Sequence, residues 1–269
     1  MASSIIALLT DFGTTDPYIG SLKAAIYDVD PAARIVDLCH HVSSQNIREA
    51  AFVLRMVYRD YPKGSIFVAV VDPSVGTNRK MLVVKAGGYY FVGPDNGILT
   101  YPLLEEKVDR IISIENKKYF RQPISQTFHG RDIFAPCAAA LAKGKKAEDF
   151  GPILKEKPVQ LDIPLPHYDK DDGILLGQVM RTDHFGNLIT NIHADDFSQA
   201  QAAHPKQAVQ VHMVDWTIPL TAYYDHGEED PLCAVWGSAQ FLEIAARKGS
   251  AREILDIMPD EPVRVMFGA

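Results

Sequence analysis

The stretch that most constrains the fold is an apolar run from Ile66 to Val71, which ends at Asp72 and continues into a polar loop containing Arg79. An unbroken run rich in β-branched residues indicates a strand buried on both faces, as found in parallel sheets. In open α/β sheets ligands bind beyond the carboxyl ends of such strands, so Asp72 is a candidate site residue. The alternative is an aspartate that merely begins a turn, as Asp-Pro often does.

Strand and helix patterns alternate on the amino-terminal side of this run. Ile5 to Thr10 and Arg34 to Leu38 are predicted strands, and a helical apolar face lies between them. Asn46 followed by Glu49 predicts a capped helix before the central strand. This βαβ spacing predicts an α/β N-terminal domain with a mostly parallel sheet.

The pattern of predicted elements changes after a proline-containing stretch that lacks helical periodicity. Short apolar strands separated by turns follow, which predicts a smaller, mostly-β C-terminal domain. We expect an N-terminal domain over residues 1–157, a linker over 158–172 and a C-terminal domain over 173–269.

Charge and cysteine content bear on the function classes. A net charge of -7 and a pI of about 5.7 argue against nucleic acid as the main partner. No apolar run approaches the roughly 20 residues that span a bilayer, so no membrane association is expected. Three cysteines form an odd number without metal-ligand spacing, which favours reduced thiols and a cytoplasmic location.

Other polar loops also contain candidate ligand-binding or catalytic residues. Asp11 and Asp16 flank a loop with two threonines and a glycine, a combination that suits a polyol or amine ligand. These carboxylates could instead cap a helix. His129 stands just before a helical run, so it could be a helix cap only, and Arg79 could be a surface arginine after a turn.

Five loops, taken together, resemble one family. They are TDFGTTD (10–16), VDPSVGTNR (71–79), FHGRD (128–132), DHFGNLITNI (183–192) and GSAQFLEIA (237–245). In this order they resemble the adenosine-forming S-adenosyl-L-methionine (SAM) hydrolases, also called SAM hydroxide adenosyltransferases, which are related to fluorinase and chlorinase. The resemblance implies an α/β N-terminal domain and a barrel-like C-terminal domain. It also implies a homotrimer with inter-chain active sites.

The implied reaction is displacement of methionine from C5′ of the ribose by water, with SAM as substrate and no cofactor or metal. Carried over by motif, the catalytic set is Asp72, Arg79 and His129. The halogenases lack this set, and Gln45 stands here where the fluorinase has a tryptophan. Water rather than halide is therefore the expected nucleophile.

The substrate-binding residues that the resemblance implies lie in several loops. Asp11 would hold the ribose hydroxyls, and Asn187 would read the adenine. The others would face the methionine groups (Asp16, Asp183, Ser238), flank the ligand (Phe128, Phe185) or offer backbone at the adenine edge (Arg247, Lys248).

The leaving group of a sulfonium substrate is a neutral thioether, so no general acid is required. The protein has to position one water in line with the C5′–S bond and polarise it. The residue types leave open which group accepts the water's proton. Two other functions also stay open: a metal-dependent phosphoesterase using Asp11, Asp72, His129 and Asp132, and a non-catalytic SAM or adenosine sensor.

Overall fold

A computed structural model describes residues 4–205, 207–224 and 231–268. These residues form two compact units, which meet in sequence at Asp162 and Ile163. Within the described ranges no helix is both long enough and apolar enough to cross a membrane.

The first unit contains one six-stranded sheet. Its strands are β1 (Ile5–Thr10), β2 (Arg34–Cys39), β3 (Ile66–Val70), β4 (Met81–Ala86), β5 (Tyr89–Pro94) and β6 (Val108–Ser113). Their spatial order is β2-β1-β3-β5-β4-β6. The pairs among β2, β1, β3 and β5 are parallel, whereas β4 is antiparallel to both neighbours because a tight hairpin joins it to β5.

Helices cover both faces of this sheet: α1 (Tyr18–Val29), α2 (Ile47–Val57), α3 (Thr100–Glu105) and α4 (Ala135–Ala142). Alternate residues of β3 enter two different cores. Ile66, Val68 and Val70 pack in the core that contains residues of α1 and α4, and Phe67 and Ala69 pack in the core that contains residues of α2. Side chains alternate across a strand, so a strand between two helical layers must be apolar at every position.

Two loop starts are brought together by the register of the sheet. Thr10, the last residue of β1, pairs with Val70, the last residue of β3, in parallel. The chain therefore leaves both strands at the same edge and at the same level, and Asp11 and Asp72 follow within two residues. As predicted, the Asn46 side chain caps α2 by accepting a hydrogen bond from the backbone N–H of Glu49 at 3.0 Å.

The second unit is built on strands β7 (His167–Asp169), β8 (Ile174–Thr182), β9 (Leu188–His193), β10 (Val209–Met213), β11 (Trp216–Ile218), β12 (Leu232–Trp236), β13 (Phe241–Ala246) and β14 (Pro262–Phe267). Helices α5 (Ala194–Ala202) and α6 (Ala251–Leu255) interrupt them. The antiparallel order is β11-β10-β14-β8-β9-β13-β12, with β7 beside β8. A bridge between Leu220 and Ala234 connects the two ends, so the sheet is a nearly closed barrel around an apolar core.

The predicted fold class is confirmed: an α/β N-terminal unit with a mostly parallel sheet precedes a mostly-β, barrel-like C-terminal unit. The segment predicted as a linker, 158–172, includes β7, which pairs with β8. The predicted domain limits remain predictions at the level of single residues.

Candidate active site

A cavity of about 270 Å³ opens where β1 and β3 end. It brings together four segments that are far apart in sequence, and four predicted site residues line it (Asp11, Asp72, Phe128, His129). The remaining lining residues are Phe12, Gln45, Val70, Pro73, Val75, Thr127 and Gly130. All of them belong to the first unit.

Asp72 and Arg79 form a buried ion pair beside this cavity. Their side chains are only 5% and 7% exposed. Arg79 Nε lies 2.8 Å from both carboxylate oxygens, and Arg79 Nη2 also donates to Asp72 Oδ2. Asp72 does begin a turn, since Ser74 Oγ donates to it and Val75 N–H donates to its carbonyl, but the ion pair shows that this is not its only role. The alternative of Arg79 as a surface arginine is wrong.

His129 extends this pair into a chain of three. Its Nδ1 lies 3.0 Å from Arg79 Nη2. A guanidinium only donates, so Nδ1 must carry a lone pair, and the imidazole is neutral with its proton on Nε2. Burial first, and then the charge of Arg79, lower the pKa of His129, while Asp72 and Asp132 raise it. His129 precedes a π-helical turn, Gly130–Phe134, but caps it with no side-chain hydrogen bond, so the cap-only alternative is wrong.

The lowered pKa of His129 has a pH consequence. We expect the rate of the reaction that the family resemblance implies to stay level as pH falls to the ordinary histidine value of 6.5 and to drop below it, when protonation removes the acceptor of Arg79. Because the unfolded chain binds this proton more readily, the free energy of unfolding should also fall on acidification. Denaturant titrations between about pH 5 and 8 measure this, with His129→Asn as the control that lacks the effect. A wild-type rate that declines already above pH 6.5 would contradict the expectation.

Asp11 faces the same cavity and is held by the backbone. Its Oδ2 accepts a hydrogen bond from the N–H of Gln45 at 2.8 Å, and Gln45 adopts a left-handed φ of 65° that presents this N–H. Neither Asp11 nor Asp16 caps α1, whose first turn follows Pro17 without a side-chain cap. Asp16 is exposed and does not line the cavity, so the structure does not bring it to the catalytic set.

An aromatic cluster forms one wall of the cavity. Phe128 contacts Phe12 edge to face at 5.7 Å and Tyr18 at 5.8 Å between ring centroids. The Arg131 guanidinium lies 4.9 Å from the Phe128 ring centroid. Such a wall suits a flat, apolar ligand surface. Sequence reasoning overlooked Phe12, although it stands inside the first motif.

The donor set proposed for a metal is already engaged in protein contacts. Asp72 is paired with Arg79, and the fully buried Asp132 accepts from Arg131 and from the Ser125 N–H. Among the described residues no group of three or more His, Cys, Asp or Glu is arranged to hold a metal ion. The geometry therefore does not supply the ligand set that the phosphoesterase alternative needs.

In the second unit, Asp183 organises the loop between β8 and β9. Its Oδ1 accepts from the N–H groups of Phe185 at 2.9 Å and Asn187 at 2.8 Å, and its Oδ2 accepts from Asn187 Nδ2 at 2.9 Å. Asn187 is buried, whereas the Phe185 ring is 74% exposed. The loop thus holds Asn187 in one orientation and presents Phe185 at the surface.

This loop is fixed to the start of α6. Gly186 has a φ of 86°, and a Cβ there would come 2.2 Å from Ser250 Oγ, so only glycine fits. Its carbonyl accepts from the Arg252 N–H at 3.0 Å. Asp183 and Phe185 also line a second cavity of about 550 Å³.

Ser238 and Lys248 occupy separate turns at the two ends of β13. Ser238 is exposed in the turn before the strand, and Lys248 is exposed after it with a φ of 54°. The neighbouring Arg247 donates its backbone N–H to the Pro231 carbonyl at 3.1 Å, so that group is engaged within the protein.

Glu243 lies within the last motif, and the sequence did not indicate that its carboxyl group is buried. It is 7% exposed, and its Oε2 accepts from the Tyr224 hydroxyl at 3.1 Å. Burial raises its pKa most, Tyr224 lowers it, and Asp183 raises it further. A Cβ on Gly237 would come 1.8 Å from Glu243 Oε1, so only glycine leaves room for this carboxylate.

Comparisons with known proteins identify the family of this chain. Residues 6–151 match the SAM hydroxide adenosyltransferase N-terminal domain, and residues 177–264 match the C-terminal domain. The chain is 34% identical to the (R)-S-adenosyl-L-methionine hydrolase of Thermus thermophilus over 97% of this chain and 99% of that protein. It is 36% identical to the (R)-S-adenosyl-L-methionine hydrolase of Methanocaldococcus jannaschii, over 98% and 96%.

A crystal structure of an uncharacterized conserved protein from Thermotoga maritima is also similar. It has a TM-score of 0.89 and 35% identity, with 97% of this chain and 99% of that chain covered. Both domain matches, in the predicted order, account for most of the sequence. The chain therefore belongs to the SAM hydroxide adenosyltransferase family.

Proposed function

We propose that this protein is a hydrolase that cleaves SAM with water at C5′, giving adenosine and L-methionine. The observation that carries the proposal is the buried chain Asp72–Arg79–His129 beside a cavity that Asp11 and Phe128 also line. Relatives that are 34% and 36% identical over nearly the whole chain are named as hydrolases of this substrate.

The chemistry asks for positioning more than for strong acids or bases. The water oxygen forms a bond to C5′ while the C5′–S bond breaks, and the electron pair returns to sulfur as a neutral thioether. Positive charge moves from sulfur to the attacking oxygen, whose proton is then lost readily. A water held in line by fixed groups reacts faster because no further entropy is lost in orienting it and the surrounding dipoles need not reorganise.

Hydrogen bonding among Asp72, Arg79 and His129 supports a role in positioning the water. The Asp72 carboxylate accepts from Arg79 and Ser74, which fixes its oxygens at the cavity, where they can orient water and take the proton late. His129 accepts at Nδ1, which leaves its Nε2–H as a donor. The buried Arg79 Nη1 has no hydrogen-bond partner among the described residues and is a second available donor.

The finer assignments belong to the same proposal. Asp11 holds the ribose hydroxyls, Phe128 flanks the nucleoside and Asn187 reads the adenine. Residues of the second unit complete each site from a neighbouring protomer of a homotrimer, with Asp183 and Ser238 at the methionine end. The three free cysteines support a cytoplasmic location.

The direct test is to incubate the purified, EDTA-dialysed protein with SAM and to separate the products by chromatography. We expect adenosine and L-methionine in equal amounts, and no 5′-chloro-5′-deoxyadenosine at high chloride. Chlorinated nucleoside as the main product would show that halide is the nucleophile. Recovery of intact SAM after long incubation would identify a binding protein instead.

A further inference from the structure

A second line of polar side chains adjoins Asp11 and has no part in the proposed reaction. Thr10 Oγ1 lies 2.9 Å from His40 Nδ1, and His40 Nε2 lies 3.0 Å from Asp37 Oδ1. Asp37 Oδ2 in turn accepts from Lys23 Nζ at 2.6 Å. Thr10 is fully buried and His40 is 5% exposed, whereas Asp37 reaches the surface.

Two contacts meet at the Thr10 hydroxyl oxygen. The Phe12 N–H donates to Thr10 Oγ1 at 3.2 Å, so the hydroxyl proton is free to point towards His40 Nδ1. His40 Nε2 lies near the Asp37 carboxylate but has no hydrogen-bond partner among the described residues. The Thr10 hydroxyl is therefore the group through which the His40 ring contacts the loop.

Carboxylate, imidazole and hydroxyl in this order are also the components of a hydrolase triad. Thr10 cannot act as its nucleophile, because no part of the residue is exposed and its oxygen is occupied by the Phe12 N–H. These side chains therefore do not form a second hydrolytic site.

Thr10 and His40 instead contact the loop that carries Asp11. Thr10 immediately precedes Asp11, and its oxygen fixes the Phe12 N–H one residue beyond it. The His40 carbonyl accepts from the Gly13 N–H at 2.7 Å. Before Asp11 in the chain, Thr10 contacts the His40 ring, and after it, Gly13 contacts the His40 carbonyl. The Asp11 carboxylate itself is held by the Gln45 N–H.

We propose that His40, acting through Thr10, is a positioning residue that holds the Asp11 carboxylate at the cavity and thereby sets affinity for the nucleoside half of the substrate. This rests on the proposed function, which assigns Asp11 to the ribose hydroxyls. His40 touches neither the water nor the reacting carbon, so it affects binding and not the chemical step.

The test compares two isosteric substitutions at fully buried threonines. Thr10→Val removes the hydroxyl that links His40 to the loop, and Thr100→Val removes an equally buried hydroxyl that bonds the Gly97 carbonyl and the Leu161 N–H. Loss of a buried hydrogen bond should weaken adenosine binding about tenfold, or about 1.4 kcal/mol, in Thr10→Val only. Both variants should lose similar thermal stability, and Thr10→Ser should restore the affinity.

A double-mutant cycle separates positioning from general damage. In an Asp11→Ala background, Thr10→Val should not weaken adenosine binding further, because the group that it positions is gone. With SAM, KM should rise and kcat should change less than about twofold, since Thr10 acts on bound nucleoside only. Additive losses in the cycle, or equal losses in Thr100→Val, would overturn the inference.

A ligand-free measurement decides the inference even if the wild-type chain binds neither SAM nor adenosine, a result that would refute the proposed function. In nitrogen-15 spectra, Thr10→Val should shift the His40 Nδ1 resonance together with the Phe12 and Gly13 amides. An unshifted His40 Nδ1, or unshifted amides in that variant, would overturn the inference.

Discussion

Replacing Asp72 by alanine is expected to lower kcat for SAM hydrolysis by about a thousandfold, within the range of losses for a group that orients or accepts a proton. The KM should change far less, because Asp72 acts on water and the proposed ribose contact is made by Asp11. The variant should also lose about 3–5 kcal/mol of the free energy of unfolding, since Arg79 is left buried without its counter-ion. Steady-state kinetics and denaturant titration measure the two effects separately.

Glu105→Ala is the control for the stability loss. Glu105 pairs with Arg55 and Arg59 on the first unit, and it does not line the cavity. We expect this variant to be less stable than the wild type but to keep its kcat. Wild-type turnover in a folded Asp72→Ala protein would show that the catalytic set is misassigned.

Mixing two inactive variants is expected to restore activity if sites are shared between protomers as proposed. Asp72→Ala damages the nucleophile set in the first unit, and Asn187→Ala removes the buried amide that Asp183 orients in the second. In randomly reassembled rings, about one quarter of the interfaces would pair two intact halves, so activity should approach that fraction of the wild-type value. The two variants are dissociated, mixed in equal amounts, reassembled and assayed with SAM.

The control mixture combines Asp72→Ala with His129→Ala. Both lesions then lie in the first unit, so no interface contains an intact set and activity should stay absent. Rescue in this control, a fully active monomer in light scattering, or no rescue in the first mixture would contradict the shared-site arrangement.

Much of the fold was predictable because it follows from local patterns. The unbroken apolar run at β3 requires a strand with a core on each face, and helices supply both cores. The capping pair Asn46 and Glu49 marked the start of α2 to the residue. The short helix α3 was not predicted, since six residues carry little periodicity. Gly93 and Pro94 belong to β5 because β4 pairs with them, and the types of these two residues do not predict a strand.

The sequence by itself determined which loops carry chemistry, since polar residues following buried strands must emerge at a sheet edge. Motifs identified Asp72, Arg79 and His129 as one set, and their types suited water activation. Only the tertiary structure decided that Arg79 joins the other two in a buried chain, and that Asp16 stands apart. It also decided that His40 lies behind Asp11 and that Glu243 is buried beside Gly237. Hydrogen bonds between residues some thirty to fifty positions apart depend on strand register and loop closure, and neither leaves a periodic trace in the chain.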